Sequence, residues 1–255
     1  MKVVILAGGK GTRLSELTEV IPKPMVKVGG IPILTHILNI YSFYGFNDFI
    51  IALGYKSSFI KKYFLNHKKI IKIDSSNKNE ISLTINNSLK KKINVHLVET
   101  GINTLTGGRL LRLKKYLNKE TFMMTYGDGL ANVNINNLLK YHKLNKKIVT
   151  VTAVHPIARF GELNLKKNLV KSFKEKPQTK NTWINGGFFV MEPKIFSFIK
   201  NDKTILENEP LEYISSINQF IAFRHSGFWQ CMDTLRDKNL LDKLWKEKKA
   251  MWKVW

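Results

Sequence analysis

The sequence VVILAGGKGTRL at residues 3–14 decides the fold, because the apolar run at residues 3–7 changes abruptly into a glycine-rich segment. Consecutive β-branched and leucine side chains are typical of a parallel strand that is buried on both faces. Glycines let backbone N–H groups approach an anion closely, while Lys10 and Arg13 add charge and Thr12 adds a hydroxyl donor. The spacing matches neither the P-loop nor the dinucleotide fingerprint. The segment predicts a buried strand followed by a phosphate-binding loop or by a simple tight turn.

Strand and helix patterns alternate along the rest of the chain, which indicates an α/β fold with a mostly parallel sheet. The periodicity predicts strands at residues 49–53, 121–125 and 149–154, and helices at 32–44, 57–64 (capped by Ser57) and 135–142. Ligands of such sheets bind beyond the carboxyl ends of the strands. The glycine-bearing segments 8–11 and 127–129 both follow predicted strands, so we expect them to line one cleft.

The chain is expected to form one domain over residues 1–255, because its length suits a single large core and no linker or repeat divides it. Residues 66–95 are polar and rich in Lys and Asn, with weak alternation at Ile81, Leu83 and Ile85. They predict an inserted β-hairpin or a flap, which either closes over a ligand or contributes to subunit contacts.

The formal charge of +23 raises the alternative of a nucleic-acid-binding protein. Only six of the 42 basic residues are arginines, however, and the lysines are spread along the chain, which favours solvated surface charge over a nucleic-acid interface. Such a field would also steer anionic nucleotides toward a cleft. The single cysteine, Cys231, excludes an internal disulfide and a cysteine metal cluster, and is expected in the core or a pocket wall. Because Met1 leads directly into a core strand without a signal or membrane segment, we expect a cytoplasmic protein with no membrane partner.

Several charged or polar residues stand in segments that suit ligand binding. Lys23 lies between two prolines, which predicts either an ion-binding side chain or a surface turn. Asp128 lies between two glycines at a strand end, where its carboxylate would either bind Mg²⁺ or cap a turn, and Asp233 is available as a second carboxylate. Asn185 and two following glycines predict either sugar-binding amides or a hairpin. The histidines show no metal-binding spacing and no GxSxG motif occurs.

The order and wording of these segments resemble the sugar-1-phosphate nucleotidylyltransferases along the whole chain, and within them the subgroup that uses CTP. The resemblance rests on LAGGKGTRL (6–14), PKPM (22–25), TGGRL (106–110), TYGDG (125–129), RFGEL (159–163), FKEKP (173–177), INGGFFV (184–190) and FWQCMDTLRD (228–237). It implies a Rossmann-like mostly parallel sheet flanked by helices, with a smaller sugar-binding β portion and a C-terminal helical segment, commonly assembled as a homo-oligomer.

The resemblance also implies roles for individual residues. The nucleotide-binding positions would be Leu6, Ala7, Gly8, Gly9, Lys10, Gly11, Thr12, Arg13, Lys23, Thr106, Arg109 and Gly127. The sugar-phosphate positions would be Glu175, Lys176, Asn185 and Gly186. The catalytic group would be Arg13, Lys23, Asp128 and Asp233, with Asp128 and Asp233 holding Mg²⁺.

The reaction implied is attack by a phosphate oxygen of α-D-glucose 1-phosphate on the α-phosphorus of CTP, which gives CDP-glucose and pyrophosphate for deoxysugar and surface-polysaccharide synthesis. No covalent enzyme intermediate is required, because the protein mainly positions two anions and neutralises charge. A nucleotidylyltransferase with a different phosphorylated acceptor remains an alternative, as do a nucleotide sensor without activity and the nucleic-acid-binding protein.

Overall fold

The computed structural model describes residues 1–11, 14, 18–77, 79–156, 161–174 and 182–255. In chain order its first elements are β1 (Lys2–Leu6), β2 (Lys27–Val28), β3 (Ile31–Pro32), α1 (Ile33–Phe43), β4 (Asp48–Leu53), α2 (Ser57–Leu65), β5 (Ile70–Asn77), β6 (Glu80–Asn86), β7 (Lys92–Glu99), α3 (Thr106–Arg112) and α4 (Lys114–Leu117). They are followed by β8 (Phe122–Tyr126), β9 (Gly129–Ala131), α5 (Ile135–Asn145), β10 (Val149–Val154), β11 (Glu162–Lys166), β12 (Leu169–Lys174), β13 (Ile184–Met191), α6 (Glu209–Ser216), β14 (Phe220–His225), β15 (Trp229–Cys231) and α7 (Leu235–Lys246). Short 3-10 helices lie at Lys23–Met25 and Pro193–Phe198.

Nine of these strands form one sheet in the order β14-β10-β13-β8-β1-β4-β7-β6-β5. The central strand β1 pairs in parallel with β4 and β8, and β4 pairs in parallel with β7. Strands β13 and β6 run antiparallel to both of their neighbours, so the remaining strands of the sheet point in one direction. The prediction of an α/β fold with a mostly parallel sheet is confirmed.

The apolar segment at the amino terminus forms the centre of this sheet and is buried on both faces. Val3 and Ile5 pack into one cluster, with α1 and the C-terminal Trp252. Val4 and Leu6 pack into a second cluster on the opposite face, with residues of α3 and α6. Burial on both faces explains why the strand reads as a continuous apolar run instead of an alternating one.

Most predicted elements agree with the structure, and two details differ. Ser57 is the first residue of α2 and does not cap it, because Lys56 occupies the N-cap position in the left-handed conformation. Of the two alternatives for residues 66–95, the structure shows the hairpin: β5 pairs with β6, and antiparallel pairing of β6 with β7 adds it to the main sheet. The alternating Ile81, Leu83 and Ile85 are buried, as the pattern predicts. The segment that begins at Asn185 lies within β13, at an irregular register opposite β10, and is not a hairpin turn.

Smaller elements flank the sheet. Strands β11 and β12 form a separate two-stranded ribbon, and β15 pairs with β9 in another. Helix α7 forms the predicted C-terminal helical segment; its N-terminus carries a capping box between Thr234 and Asp237. None of the described helices is long and apolar enough to cross a lipid bilayer.

Candidate active site

A cavity of about 600 Å³ opens at the carboxyl ends of β1 and β8, beside β13 and β15. Its walls are formed by Leu6, Ala7, Gly8, Gly9, Gly11, Lys23, Pro24, Thr104, Leu105, Thr106, Arg109, Thr125, Tyr126, Gly127, Asp128, Gly129, Asn185, Gly186, Gly187, Glu207, Trp229, Cys231 and Asp233. The two glycine-bearing segments predicted to share a cleft therefore line the same cavity. Lys10 is exposed and does not line it, while Thr12, Arg13, Glu175 and Lys176 lie outside the described residues.

The glycine-rich loop after β1 follows the neighbouring strand closely. The Ala7 N–H donates to the carbonyl of Ala52, and the Tyr55 N–H donates to the carbonyl of Gly8. A Cβ at Gly8 would overlap the guanidinium of Arg109, whereas a Cβ at Gly9 would have nothing within 4 Å. Position 8 therefore requires a glycine because the buried side chain of Arg109 lies against it. Position 9 has no such neighbour, so the loop is open at Gly9.

Arg109 supports the loop from the protein interior. Its side chain is 4% exposed, and burial lowers the pKa of its guanidinium. Nη2 donates to the Gly8 carbonyl at 2.8 Å, and Nη1 donates to the Thr100 hydroxyl at 2.8 Å and to the carbonyls of Gly101 and Leu53 at 2.7 and 3.1 Å. Because both terminal nitrogens bind protein oxygens, the structure favours a supporting role for Arg109; direct contact with a nucleotide stays a prediction.

Lys23 is directed into the cavity by the 3-10 turn that begins at this residue, and it is 8% exposed. Its Nζ donates to Asp128 Oδ2 at 2.6 Å and to Asp233 Oδ1 at 2.5 Å. Burial lowers the pKa of the ammonium, but the charge of Asp128 and the hydrogen bonds to both carboxylates raise it more, so the pKa lies above its ordinary value. The folded chain brings Lys23, Asp128 and Asp233 together, although they are far apart in the sequence.

The ribbon between β9 and β15 creates this cluster. Cys231 pairs with Gly129 across the ribbon, and the Met232 N–H donates to the Asp128 carbonyl at 2.9 Å, so Asp233 arrives beside Asp128. Ligand atoms of Asp128, Cys231 and Asp233 lie within 4.8 Å of one another. The Lys23 ammonium already lies as a cation between the two carboxylates, which fits a position for a hard divalent cation.

The sequence model described as "Nucleotidyl transferase" matches residues 2–235. The chain belongs to the nucleotidyl transferase family.

Individual relatives of this nucleotidyl transferase are similar over their full length. The chain is 47% identical over 256 residues to "Glucose-1-phosphate cytidylyltransferase" of Salmonella typhimurium, with 100% of both chains covered. It is 43% identical over 259 residues to "Probable glucose-1-phosphate cytidylyltransferase" of Bacillus subtilis, again with 100% of both covered. Among solved structures, HddC from Yersinia pseudotuberculosis aligns with a TM-score of 0.70 at 22% identity, over 96% of this chain and 99% of that one. This last likeness concerns the fold.

In the wall of the nucleotidyl transferase cavity, a network of polar residues connects three elements. The Thr106 hydroxyl donates to Glu207 Oε2 at 2.6 Å, and the Tyr126 hydroxyl donates to Glu207 Oε1. Burial, followed by the nearby Glu207 carboxylate, raises the pKa of the Tyr126 hydroxyl. Asn185 Nδ2 donates to the same hydroxyl at 3.4 Å. Thr106 is thus engaged within the protein, and its contact with a nucleotide stays a prediction.

Glycines at two other candidate positions allow close packing. A Cβ at Gly127 would lie 2.9 Å from Pro24 Cγ, and the Gly127 N–H donates to the Leu6 carbonyl at 3.1 Å. The carbonyl of Gly186 accepts a hydrogen bond from the Trp229 indole at 2.8 Å. These contacts fix two strand ends that line the cavity.

Sequence reasoning did not single out Tyr126, Glu207 or Trp229 as site residues. No local motif marks Glu207, which lies in the loop before α6 and reaches the cavity only through tertiary packing. Cys231 was expected in the core or a pocket wall, and it lies in the cavity wall. Burial, followed by the charge of Asp128, raises the pKa of its thiol, so the thiol is protonated beside the two carboxylates.

Proposed function

We propose that the protein is a cytidylyltransferase that joins CTP and α-D-glucose 1-phosphate to give CDP-glucose and pyrophosphate. The observation that carries this assignment is the 47% identity, over the full length of both chains, to a protein named glucose-1-phosphate cytidylyltransferase. The cavity supports the chemistry, because it combines an open glycine-rich loop with one lysine and two carboxylates at the carboxyl ends of parallel strands.

The reaction is a direct displacement at phosphorus. A phosphate oxygen of the sugar phosphate forms a bond to the α-phosphorus of CTP, and the bond from that phosphorus to the β-phosphate oxygen breaks. Pyrophosphate leaves with the bonding electron pair. A phosphate monoester is already an anion near neutral pH, so the protein needs no general base and contributes mainly positioning and charge neutralisation.

On the nucleotide side, the Gly8–Gly9 end of the loop would receive the triphosphate, with backbone N–H groups on its open face. Lys23 is the described cation nearest to the carboxylate pair, and its ammonium would turn toward a phosphate oxygen as the nucleotide binds. Arg13, which lies outside the described residues, would add a second cation from the loop. Arg109 would hold the conformation of the loop through its hydrogen bond to the Gly8 carbonyl.

Asp128 and Asp233 would hold Mg²⁺ in the cavity. When bound there, the ion would neutralise charge on the triphosphate and on the departing pyrophosphate. The two residues offer carboxylate oxygens, which Mg²⁺ prefers, whereas the sulfur of Cys231 beside them is a soft ligand that does not suit this ion.

On the acceptor side, Asn185 and Gly186 line the cavity from the start of β13 and would contact the sugar phosphate. Glu175 and Lys176, just after β12, would complete this side, with the Lys176 ammonium on the acceptor phosphate. Assembly as a homo-oligomer and a cytoplasmic location, where nucleotides and sugar phosphates are available, belong to the same proposal.

The test is pyrophosphate release by the purified protein with Mg²⁺, measured for CTP, UTP and dTTP against a panel of sugar 1-phosphates. We expect release with CTP and glucose 1-phosphate, and much less with every other pairing. Preference for another acceptor would contradict the glucose assignment while keeping the reaction class. Light scattering on the same preparation would measure the oligomeric state.

A second experiment tests whether the high positive charge serves nucleic-acid binding. If the protein binds duplex or single-stranded nucleic acid at physiological salt and releases no pyrophosphate, the enzyme assignment is wrong. If nucleic-acid binding disappears as the salt concentration rises while pyrophosphate release persists, the charge of +23 is a general surface property.

A further inference from the structure

The carboxylate of Glu207 is the anion at which two hydroxyl donors from different elements meet. It accepts from Thr106 at the start of α3 and from Tyr126 at the end of β8. A carboxylate has no proton to donate, so the Tyr126 hydroxyl must point its hydrogen toward Glu207. This contact fixes the direction of the hydrogen bonds that follow.

The next group in the network is the amide of Asn185. Because the Tyr126 hydroxyl donates to Glu207, it offers a lone pair to its other neighbour, and Asn185 Nδ2 donates to it at 3.4 Å. The amide oxygen of Asn185 accepts from the Gly187 N–H at 2.8 Å. Both contacts require the same orientation of the amide, with nitrogen toward Tyr126 and oxygen toward Gly187.

This orientation decides what Asn185 can offer to a ligand. Asn185 lines the cavity and is exposed. Its oxygen is engaged with the backbone, while Nδ2 carries a second N–H beyond the one directed at Tyr126. An N–H donor suits a phosphate oxygen or a sugar hydroxyl oxygen, whereas a rotated amide would present an acceptor that repels a phosphate.

We propose that Glu207 is a positioning residue that acts through Tyr126 to hold the Asn185 amide as a hydrogen-bond donor toward the phosphorylated acceptor. The inference rests on the proposed function, because it takes the Asn185 side of the cavity as the acceptor side. Glu207 itself need not touch either substrate. Thr106 anchors the other carboxylate oxygen and is held in turn by the Leu206 N–H at 2.9 Å, so the carboxylate is fixed from two directions.

The decisive variant is Glu207→Gln, which keeps the size of the side chain but can donate to Tyr126 and so reverse the network. Calorimetry would measure two affinities without turnover: CTP alone, and glucose 1-phosphate added to CTP-saturated protein, both with divalent cations chelated. We expect the dissociation constant of glucose 1-phosphate to rise about tenfold, the typical effect of one lost hydrogen bond, and that of CTP to change less than twofold.

Tyr126→Phe interrupts the same hydrogen-bond network at a second point, because it removes the hydroxyl and keeps the ring. It should weaken glucose 1-phosphate to the same degree as Glu207→Gln, and the double variant should be no weaker than either single variant. Glu212→Gln, a change at an exposed carboxylate on α6, is the matched control and should alter neither affinity. Thermal unfolding midpoints would establish that each variant is folded.

Unchanged acceptor affinity in both Glu207→Gln and Tyr126→Phe would overturn the inference. Equal loss of affinity for CTP and acceptor would also overturn it, because a general structural defect affects both sites. Multiplying effects in the double variant would show that the two residues act separately. If the wild-type protein binds both ligands but releases no pyrophosphate when Mg²⁺ is added, the proposed reaction fails, and the affinity ratios still decide the role of Glu207.

Discussion

Asp128 and Asp233 share one partner: the Lys23 ammonium lies 2.6 Å from an oxygen of the first carboxylate and 2.5 Å from an oxygen of the second. The two aspartates belong to distant parts of the chain and meet because β15 pairs with β9. Two carboxylates this close repel each other unless one is protonated or a cation lies between them, and the Lys23 ammonium is such a cation.

Asp128→Asn and Asp233→Asn should each lower turnover by about three orders of magnitude, because each removes a negative charge that a hard divalent cation requires. If one ion is held by both residues, the double variant should be hardly slower than either single variant. Pyrophosphate release under saturating substrates measures this. Asp74→Asn, on the exposed hairpin strand β5, is the control. Near-normal turnover in Asp233→Asn would contradict a shared metal site.

Lys23→Met should separate metal binding from catalysis. In the absence of nucleotide the ammonium occupies the position between the carboxylates, so its removal should strengthen binding of Mn²⁺ to the free protein. Turnover should nevertheless fall by about 10²-fold or more, since a charge contact to the triphosphate is lost. Electron paramagnetic resonance titration of Mn²⁺ measures the first effect. Lys27→Met, at a neighbouring exposed lysine, should change neither quantity; weaker Mn²⁺ binding in Lys23→Met would show that the lysine does not compete with the ion.

Gly8→Ala and Gly9→Ala should affect different properties. The added methyl group at Gly8 would overlap the Arg109 guanidinium, so we expect a loss of about 1–3 kcal/mol in the free energy of unfolding. At Gly9 the methyl group meets nothing within 4 Å, so stability should be unchanged. If the triphosphate lies on that open side, however, CTP affinity should fall. Urea denaturation and calorimetric titration with CTP measure the two effects, and unaltered CTP binding by Gly9→Ala would place the phosphates elsewhere.

His36 should make stability depend on pH. Its Nε2 lies 2.9 Å from the Val28 carbonyl, and its Nδ1 accepts from the Trp252 indole at 3.3 Å, which requires the neutral ring. Burial lowers the pKa of His36 from 6.5 to about 4. The unfolded chain therefore takes up the proton first as the pH falls. Stability from this residue is full above pH 6.5 and declines between pH 6.5 and 4, by up to about 3 kcal/mol.

Denaturant unfolding at a series of pH values would measure this decline. The variant His36→Gln should be less stable at neutral pH and should show a shallower fall between pH 6.5 and 4. His67→Gln, at a partly exposed histidine, should keep most of the wild-type slope. Identical slopes in the wild-type protein and His36→Gln would contradict the assignment.

The elements that sequence predicted best are those with the most regular apolar pattern. Strand β10 matches its predicted bounds, and β4 and α1 differ by one residue at their ends. The hairpin at residues 70–86 was harder to assign, because its edge strand β5 exposes Ile71 and Ile73, so its apolar residues do not mark a buried face. It forms because β6 pairs with β7 and places Leu83 in the core.

The candidate site shows the same division. Gly8, Lys23 and Asp128 could be proposed from local sequence, since each lies in a short segment with unusual backbone chemistry at a predicted strand end. Glu207 could not, because nothing in the sequence around it differs from an ordinary surface loop. Arg109 was predicted on the nucleotide side of the site, and that contact stays a prediction; its five hydrogen bonds to protein oxygens appear only when the strands are assembled.

By itself, the sequence determined the buried central strand, the glycine-rich loop after it and the alternation of strands and helices, because hydrophobic periodicity and glycine placement are local properties of a chain. Its motifs also indicated the nucleotidyl transferase family, which the match over residues 2–235 confirms. Only the tertiary structure decided which charges meet. Pairing of β15 with β9 brings Asp233 to Asp128, and packing of the loop before α6 brings Glu207 to Tyr126. These contacts join residues that are far apart in the chain, so local sequence patterns do not predict them.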